Sequence, residues 1–123
     1  MNKENFVAKS YTTGPAPFGM SDAELAGRST VYRPDLLEGK SWLISGGGSG
    51  IGKAIAMLAA RLGADVTICG RTADKLNATR DAIEQATGRE IQVCAMSIRE
   101  PEAVEALLDD IFERRGRIDL LVN

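Results

Sequence analysis

Residues 42–53 read WLISGGGSGIGK, and this stretch decides the fold. A short apolar run is followed by a glycine-rich turn and then, from Lys53, by an amphipathic segment. A helix that starts after such a turn presents unpaired backbone N–H groups and the positive end of its dipole. Glycines allow the sharp turn and keep Cβ atoms away from an approaching phosphate. The stretch therefore predicts a strand, a turn and a helix that together hold a phosphate group.

Strand-like runs and amphipathic helical segments alternate from residue 40 to residue 123. The predicted strands cover residues 41–45, 66–69, 91–96 and 118–122. The predicted helices run from the glycine turn to Gly63, from about residue 73 to 86, and from Pro101 to Gly116. This β-α-β-α-β-α-β order predicts an α/β fold, the N-terminal half of a Rossmann-type doubly wound parallel sheet with strand order 3-2-1-4.

Two of these helices carry an apolar stripe at helical spacing, which predicts the face that packs on the sheet. The stripe of the first helix consists of Ile51, Ile55, Leu58, Ala59 and Leu62. The stripe of the third helix consists of Val104, Leu107, Leu108, Ile111 and Phe112. Thr72 precedes the second helix, and we predict that it caps that helix.

Residues 1–39 differ in character from the rest of the chain. Glycine and proline punctuate residues 14–19, which predicts extended or turning backbone. Ser21-Asp22-Ala23-Glu24 has the form of a capping box, so we predict a short helix from Asp22 to about Ala26. The expected organisation is an N-terminal arm over residues 1–39, followed by an incomplete dinucleotide-binding domain over residues 40–123.

Composition excludes several classes of function. The net charge of −2 implies no attraction to nucleic acid or to an anionic membrane surface. The sequence contains no histidine, so we expect no histidine-based catalysis and no metal site. Cys69 and Cys94 cannot form a disulfide framework, and we expect both to be small buried residues in a reducing compartment. We see no signal peptide and no membrane-spanning run, so the expected location is cytoplasmic.

Two phosphate-binding patterns compete for the glycine turn. Gly47 to Lys53 reads G-x-x-x-x-G-K, which is a P-loop without its final hydroxyl residue. Position 54 is alanine, which supplies no oxygen to hold Mg²⁺, and no strand ends in an acidic residue that would take the other side of the metal. The P-loop interpretation is therefore disfavoured, and Lys53 is expected to be an exposed residue of the first helical turn.

The other pattern, Gly46-x-x-x-Gly50-x-Gly52, resembles the glycine loop of the short-chain dehydrogenase/reductase family. Residues 119–123, Asp-Leu-Leu-Val-Asn, are similar to the start of the D-x-L-V-N-N-A-G motif of that family. The resemblance covers residues 36–123. Residues 97–99 and the Arg28-Ser29 segment are also similar to the branch that contains peroxisomal trans-2-enoyl-CoA reductase and citronellol-type dehydrogenases.

The resemblance implies a role for each residue of the glycine loop. Gly46 would permit the tight turn, Gly50 the close approach of the cofactor pyrophosphate, and Gly52 the close packing of the helix on the sheet. Ile51 would belong to the same cofactor contact. The hydroxyls of Ser45 and Ser49 either order the loop by capping or bind the phosphates, and the sequence leaves both roles open.

The resemblance also implies how the rest of the cofactor is held. Family members that use NAD place an acidic residue after the second strand, where this chain has Gly70-Arg71. Arg71 would bind the 2′-phosphate, which favours NADP over NAD, although a solvated arginine at a helix start remains the alternative. Ser97 and Ile98 stand where the family usually has Asp-Val beside the adenine, and Asn123 would also contact the cofactor. Asp119 is expected to be structural.

Catalysis in this family depends on a Y-x-x-x-K pair together with a serine and an asparagine. Neither Tyr11 nor Tyr32 has a lysine four residues later, so we expect the catalytic residues beyond residue 123 and none within the chain. The sequence is then the N-terminal part of an oxidoreductase that transfers hydride to or from a carbonyl, alcohol or enoyl-type small molecule. Such an enzyme would form a homo-oligomer when complete, and a peroxisomal location is possible in a eukaryote.

The alternative is a complete, non-catalytic Rossmann-like module that binds a nucleotide or a partner. The end of the sequence inside a predicted strand favours the first interpretation. Because the apolar residues 120–122 would then lack a neighbouring strand on one side, we expect the chain alone to fold poorly.

Overall fold

A computed structural model describes residues 19–123 as one parallel sheet with helices on both faces. The predicted turn at residues 14–19 lies almost entirely outside the described residues. The elements, in chain order, are α1 (Asp22–Gly27), β1 (Ser41–Ser45), α2 (Gly50–Arg61), β2 (Asp65–Gly70), α3 (Ala73–Thr87), β3 (Gln92–Ala95), α4 (Pro101–Arg115) and β4 (Leu120–Val122). The predicted α/β fold and the predicted strand–helix alternation are confirmed.

The four strands are parallel and lie in the order β3-β2-β1-β4, as predicted. Neighbouring residues of β1 point to opposite faces of the sheet: Ile44 packs with α2 and α3, whereas Leu43 packs with Leu107 and Ile111 of α4. This arrangement is a doubly wound sheet, and it brings the loops that follow β1, β2 and β3 to one edge.

The predicted apolar stripes are partly wrong. In α2, Ala59 is buried and Ile55 is half-buried, but Ile51 is 81% exposed. Ile51 is only the second residue of α2, and it stays largely exposed at an apolar groove that arm residues also line. In α4, Leu107 and Ile111 are buried, whereas Phe112 is 51% exposed because it lies one helical step beyond the buried face.

The glycines and the proline predicted to mark helix ends do so in the structure. Gly88 and Gly116 adopt left-handed backbone and end α3 and α4, and Pro101 occupies the first turn of α4. β2 is longer than predicted, and β3 and β4 are shorter. Thr72 occupies the N-cap position of α3, as predicted, but its side chain makes no capping hydrogen bond.

Cys69 of β2 and Cys94 of β3 are register partners in the parallel sheet. Cys69 is buried and Cys94 is half-buried, so the expectation of two buried cysteines holds fully only for Cys69.

The described part of the arm is attached to the domain by specific contacts. In α1 the predicted capping box is present, with Ser21 and Glu24 exchanging hydrogen bonds. The Arg61 guanidinium of α2 donates hydrogen bonds to the carbonyl oxygens of Leu25, at 2.8 Å, and of Arg28, at 2.5 Å. Lys53 forms an ion pair with Asp22, and its side chain is only 22% exposed. The prediction of a solvated Lys53 is therefore wrong, because this lysine joins α1 to α2.

Asp119 joins β4 to β1. Its Oδ2 accepts a hydrogen bond from the Ser41 N–H at 2.8 Å, and its own N–H donates to the Ser41 carbonyl at 2.8 Å. Arg117 pairs with the other carboxylate oxygen. The Arg117 hydrogen bond and the Ser41 N–H hold the pKa of Asp119 below its usual value. This geometry agrees with the structural role expected for Asp119.

Candidate functional site

The glycine loop joins β1 to α2 with a backbone that requires glycine at its two ends. Gly46 has φ +71° and Gly50 has φ +54°, a left-handed region that other residues adopt at a cost. The Gly46 N–H donates to the Cys69 carbonyl of β2 at 2.9 Å, which fixes the start of the loop. A Cβ built on Gly50 would meet no atom within 4 Å, so the space in front of the α2 N-terminus is open on this side.

Two further glycines of the loop are required by packing. A Cβ on Gly52 would lie 2.2 Å from the Gly46 carbonyl oxygen, so Gly52 lets α2 pack directly on the loop. The nearest atoms to such a Cβ belong to the loop backbone, and the predicted role of Gly52 in packing the helix on the sheet stays a prediction. A Cβ on Gly47 would lie 2.5 Å from the Cβ of Ile68 in β2. Sequence reasoning considered Gly47 only as part of the P-loop pattern and gave it no packing role, because a contact with another strand leaves no local signal.

Ser49 is the N-cap residue of α2, but its side chain makes no capping hydrogen bond. Of the two roles left open by the sequence, capping is therefore not the one that this structure shows. The first turn of α2 contains no acidic residue, so no carboxylate on the helix competes for its positive end. The Ser49 side chain and the first N–H groups of α2 can both face an anion.

A cavity of about 420 Å³ lies at the carboxyl edge of the sheet, between three loops. The Met96 N–H donates to the Gly70 carbonyl at 2.8 Å and holds the second and third loops together. The Ser97 hydroxyl accepts a hydrogen bond from the Arg99 N–H at 3.3 Å. The lining residues are Ser45, Gly46, Gly48 and Ser49 after β1; Gly70, Arg71, Thr72, Lys75 and Leu76 after β2; and Met96, Ser97, Ile98 and Arg99 after β3.

The lining of this cavity is positively charged although the whole chain is slightly acidic. Arg71, Lys75 and Arg99 line it, and no aspartate or glutamate of the described part of the chain does. None of the three cations forms an ion pair with a carboxylate within residues 19–123. Three unpaired cations beside a helix N-terminus make a site that attracts an anion with more than one phosphate group.

The structure brings together five of the nine predicted site residues. Gly46, Ser49, Arg71, Ser97 and Ile98 line the cavity. The other four lie outside its lining. Gly50 and Gly52 belong to the start of α2, and Ile51 lines an apolar groove shared with arm residues such as Tyr32. Asn123 follows β4, which lies on the far side of β1 from the cavity.

Lys75 and Arg99 are the two cations of the cavity to which sequence reasoning assigned no cofactor role. Lys75 follows Arg71 by four residues in the first turn of α3, and Arg99 follows the third strand by four residues. The signal that could have found them is position: basic residues close after the carboxyl ends of adjacent parallel strands share one edge of the sheet.

Other kinds of site are restricted over residues 19–123. No cluster of three or more histidine, cysteine, aspartate or glutamate residues there could hold a metal ion. No helix in this range is long and apolar enough to cross a membrane.

Comparison with known proteins identifies the family. Residues 40–123 match the family model for short chain dehydrogenases. The chain therefore belongs to the short-chain dehydrogenase family, which confirms the resemblance noted in its glycine loop and in residues 119–123.

The curated relatives are oxidoreductases. A peroxisomal 2,4-dienoyl-CoA reductase of Danio rerio is 39% identical over 93 residues, which cover 76% of this chain and 31% of that protein. A probable 2,4-dienoyl-CoA reductase 3 of Caenorhabditis elegans is 42% identical over 96 residues, which cover 77% of this chain and 31% of that protein. The chain thus spans about a third of the length of these relatives.

Solved structures show the same fold. A citronellol catabolism dehydrogenase of Pseudomonas aeruginosa PAO1 superimposes with a TM-score of 0.72 at 42% identity, covering 76% of this chain and 39% of that chain. A short chain dehydrogenase of Shigella flexneri 2a, solved in complex with NADP, superimposes with a TM-score of 0.69 at 33% identity. In that case 74% of this chain and 39% of the other chain are covered.

Proposed function

We propose that residues 40–123 are the NADP(H)-binding part of a short-chain oxidoreductase. One observation carries this proposal: among the described residues 19–123, the cavity at the carboxyl edge of the sheet joins a glycine loop to three unpaired cations and contains no carboxylate. A carboxylate in this place would repel a 2′-phosphate, whereas guanidinium and ammonium groups attract it. The solved relatives that were crystallised with NADP or NADPH support the same cofactor.

The cofactor would lie across the carboxyl ends of β1, β2 and β3. Its pyrophosphate would approach the loop at Gly46, Ser49 and Gly50 and the first N–H groups of α2. The ribose phosphate would lie after β2, beside Arg71. The adenine would then lie over the end of β3, where Ile98 can cover its face and Ser97 can bond its edge.

Three predicted cofactor residues would act outside this cavity. Gly52 would keep the loop in place through its contact with Gly46. Asn123 follows β4 beside β1, Ile51 lies in the first turn of α2, and we assign both to the remaining part of the cofactor. The nicotinamide supplies or accepts the hydride when the cofactor is bound, and the role of these protein residues is to bind and orient it.

The substrate would be a small carbonyl, alcohol or enoyl-type molecule, in line with the reductases and the citronellol dehydrogenase among the relatives. We place the catalytic residues outside residues 40–123 and treat residues 1–39 as an arm on this domain. The complete enzyme would be a homo-oligomer located in the cytoplasm or, as the peroxisomal relatives suggest, in peroxisomes.

The test is a comparison of Arg71→Ala with Arg80→Ala, a matched arginine on α3 that pairs with Asp81 and does not line the cavity. The affinities of both variants for NADPH and NADH are measured by isothermal titration. Loss of the Arg71–phosphate contact should lower the affinity for NADPH by roughly ten- to a hundredfold, equivalent to about 1.5–3 kcal/mol. The affinity for NADH should stay within about threefold of the wild-type value. Arg80→Ala should change neither. Equal weakening of NADPH and NADH by Arg71→Ala would contradict the assignment.

A further inference from the structure

The start of α3 lies directly against the glycine loop. A Cβ built on Gly48 would lie 3.1 Å from the Lys75 Cβ, 3.3 Å from the Leu76 nitrogen and 3.4 Å from the Lys75 carbonyl carbon. A side chain at position 48 would therefore push the loop and α3 apart by a few tenths of an ångström. Leu76 is 1% exposed and packs in the cluster that contains Ile44 and Ile68, so the backbone that carries Lys75 is held in place.

Lys75 carries a charge that no carboxylate within residues 19–123 balances. It is the third residue of α3, in the first turn, where the helix dipole disfavours a cation. Its side chain is exposed and lines the cavity, and it forms no ion pair even with the neighbouring Asp74. This placement is unfavourable in the chain alone and becomes favourable when an anion binds in the cavity.

The position of Lys75 indicates which part of the anion it meets. Arg71 and Lys75 both follow β2, and Lys75 begins beside Gly48 on the glycine loop. The flexible four-carbon stem of a lysine lets its ammonium approach a phosphate held by Arg71 from the side of the loop. An ammonium supplies a point charge with three donors, which complements the planar fork of a guanidinium on the same phosphate.

We propose that Lys75 is the second cation that binds the ribose 2′-phosphate, and that Gly48 is the positioning residue that keeps Lys75 beside the glycine loop. The role of Lys75 rests on the proposed binding of NADP(H) in this cavity. Selection for the phosphate is then shared between Arg71 and Lys75. NADH has no group for this pair of cations, so Lys75 acts on the affinity for NADPH alone.

The test compares Lys75→Ala, Lys75→Arg and the control Lys40→Ala by isothermal titration with NADPH and with NADH. Lys40 is an exposed lysine that precedes β1 at the opposite edge of the sheet, so the control removes the same charge away from the cavity. Lys75→Ala should lower the affinity for NADPH about three- to tenfold and leave that for NADH within about twofold. Lys75→Arg should keep the wild-type ratio of the two affinities within about twofold, and Lys40→Ala should change neither affinity by more than about twofold.

The positioning role of Gly48 is tested by Gly48→Val. The added side chain should move Lys75 away from the loop and lower the ratio of NADPH affinity to NADH affinity by about threefold or more. In a chain that already carries Lys75→Ala, the same change should leave the ratio within about twofold. An equal fall of the ratio with and without Lys75 would overturn the role of Gly48.

The role of Lys75 is overturned if Lys75→Ala leaves both affinities unchanged. It is overturned equally if the variant weakens both cofactors to the same extent, which would place Lys75 at the pyrophosphate. Failure of the proposed function gives a different result, because the wild-type chain would then show no preference for NADPH, and both proposals would fall. A wild-type preference that Arg71→Ala removes and Lys75→Ala leaves intact would overturn the role of Lys75 alone.

Discussion

Replacing Gly52 by alanine tests whether the glycine loop is fixed by packing. The substituted Cβ would lie 2.2 Å from the Gly46 carbonyl oxygen, 2.8 Å from the Gly46 carbonyl carbon and 3.2 Å from the Gly47 nitrogen. All three atoms belong to the backbone, so no side chain can rotate away to make space. Either the loop or the start of α2 must move.

The magnitude follows from this overlap. Carbon and oxygen atoms approach to roughly 3.3 Å, so about 1 Å of displacement is required. Overpacking of this kind costs about 1–3 kcal/mol or more, against a total stability of about 5–15 kcal/mol for a domain. Alanine is favoured over glycine inside a helix by up to about 1 kcal/mol, which offsets part of the cost. We expect a net loss of about 2 kcal/mol.

The assay is urea unfolding followed by circular dichroism, with cofactor titration on the folded variant. Gly27→Ala is the control, because a Cβ there meets no atom within 4 Å and the residue has no positive φ. That change should leave stability within about 1 kcal/mol. The Gly52→Ala variant should also bind NADPH at least about tenfold more weakly, because the loop has moved. If Gly52→Ala stabilises the chain, as helix propensity alone would predict, the packing argument is refuted.

Three further changes test other parts of the structure. The lowered pKa of Asp119 contributes stability that is present above the unfolded pKa of about 3.9 and is lost as the pH falls through the folded pKa. The Asp119→Asn variant should therefore show a smaller decrease in the free energy of unfolding between pH 6 and pH 3. An unchanged pH profile would contradict this. Because Lys53 pairs with Asp22, Lys53→Ala should speed amide hydrogen exchange in α1 by up to about fivefold and leave the affinity for NADPH within about twofold of the wild type. A large loss of affinity would restore the P-loop interpretation. Thr79→Val should raise the free energy of unfolding, measured in urea, by about 1 kcal/mol, because the buried Thr79 hydroxyl has no hydrogen-bond partner within residues 19–123. A loss of stability would indicate that the hydroxyl has a partner.

The parts of the fold that depend on local sequence were predictable. The local signals are the spacing of the glycines, the alternation of strand-like and helical segments, and the helix-ending Gly88 and Gly116. These signals predicted the elements and the strand order correctly. Helical periodicity could not place Ile51, because a stripe does not show where along a helix the sheet begins. It could not exclude Phe112 of α4 either, because this residue lies only one helical step beyond the buried face.

Properties that depend on contacts between distant residues were not predictable. Gly47 is required by Ile68, 21 positions further along the chain, and only the fold brings them together. The pairing of Cys69 with Cys94 depends on the register between β2 and β3. The sequence pointed to Arg71 through its family position, whereas Lys75 and Arg99 could be assigned to the cavity only by combining their positions after β2 and β3 with the strand order.

The most direct test of the central proposal is the ratio of the affinities of NADPH and NADH for the unmodified chain. Isothermal titration of each cofactor into the same preparation measures it. The three cations and the absence of a carboxylate predict one NADPH per chain, bound at least about tenfold more tightly than NADH, with the difference falling as salt is added. Equal affinities, or tighter binding of NADH, would contradict the account.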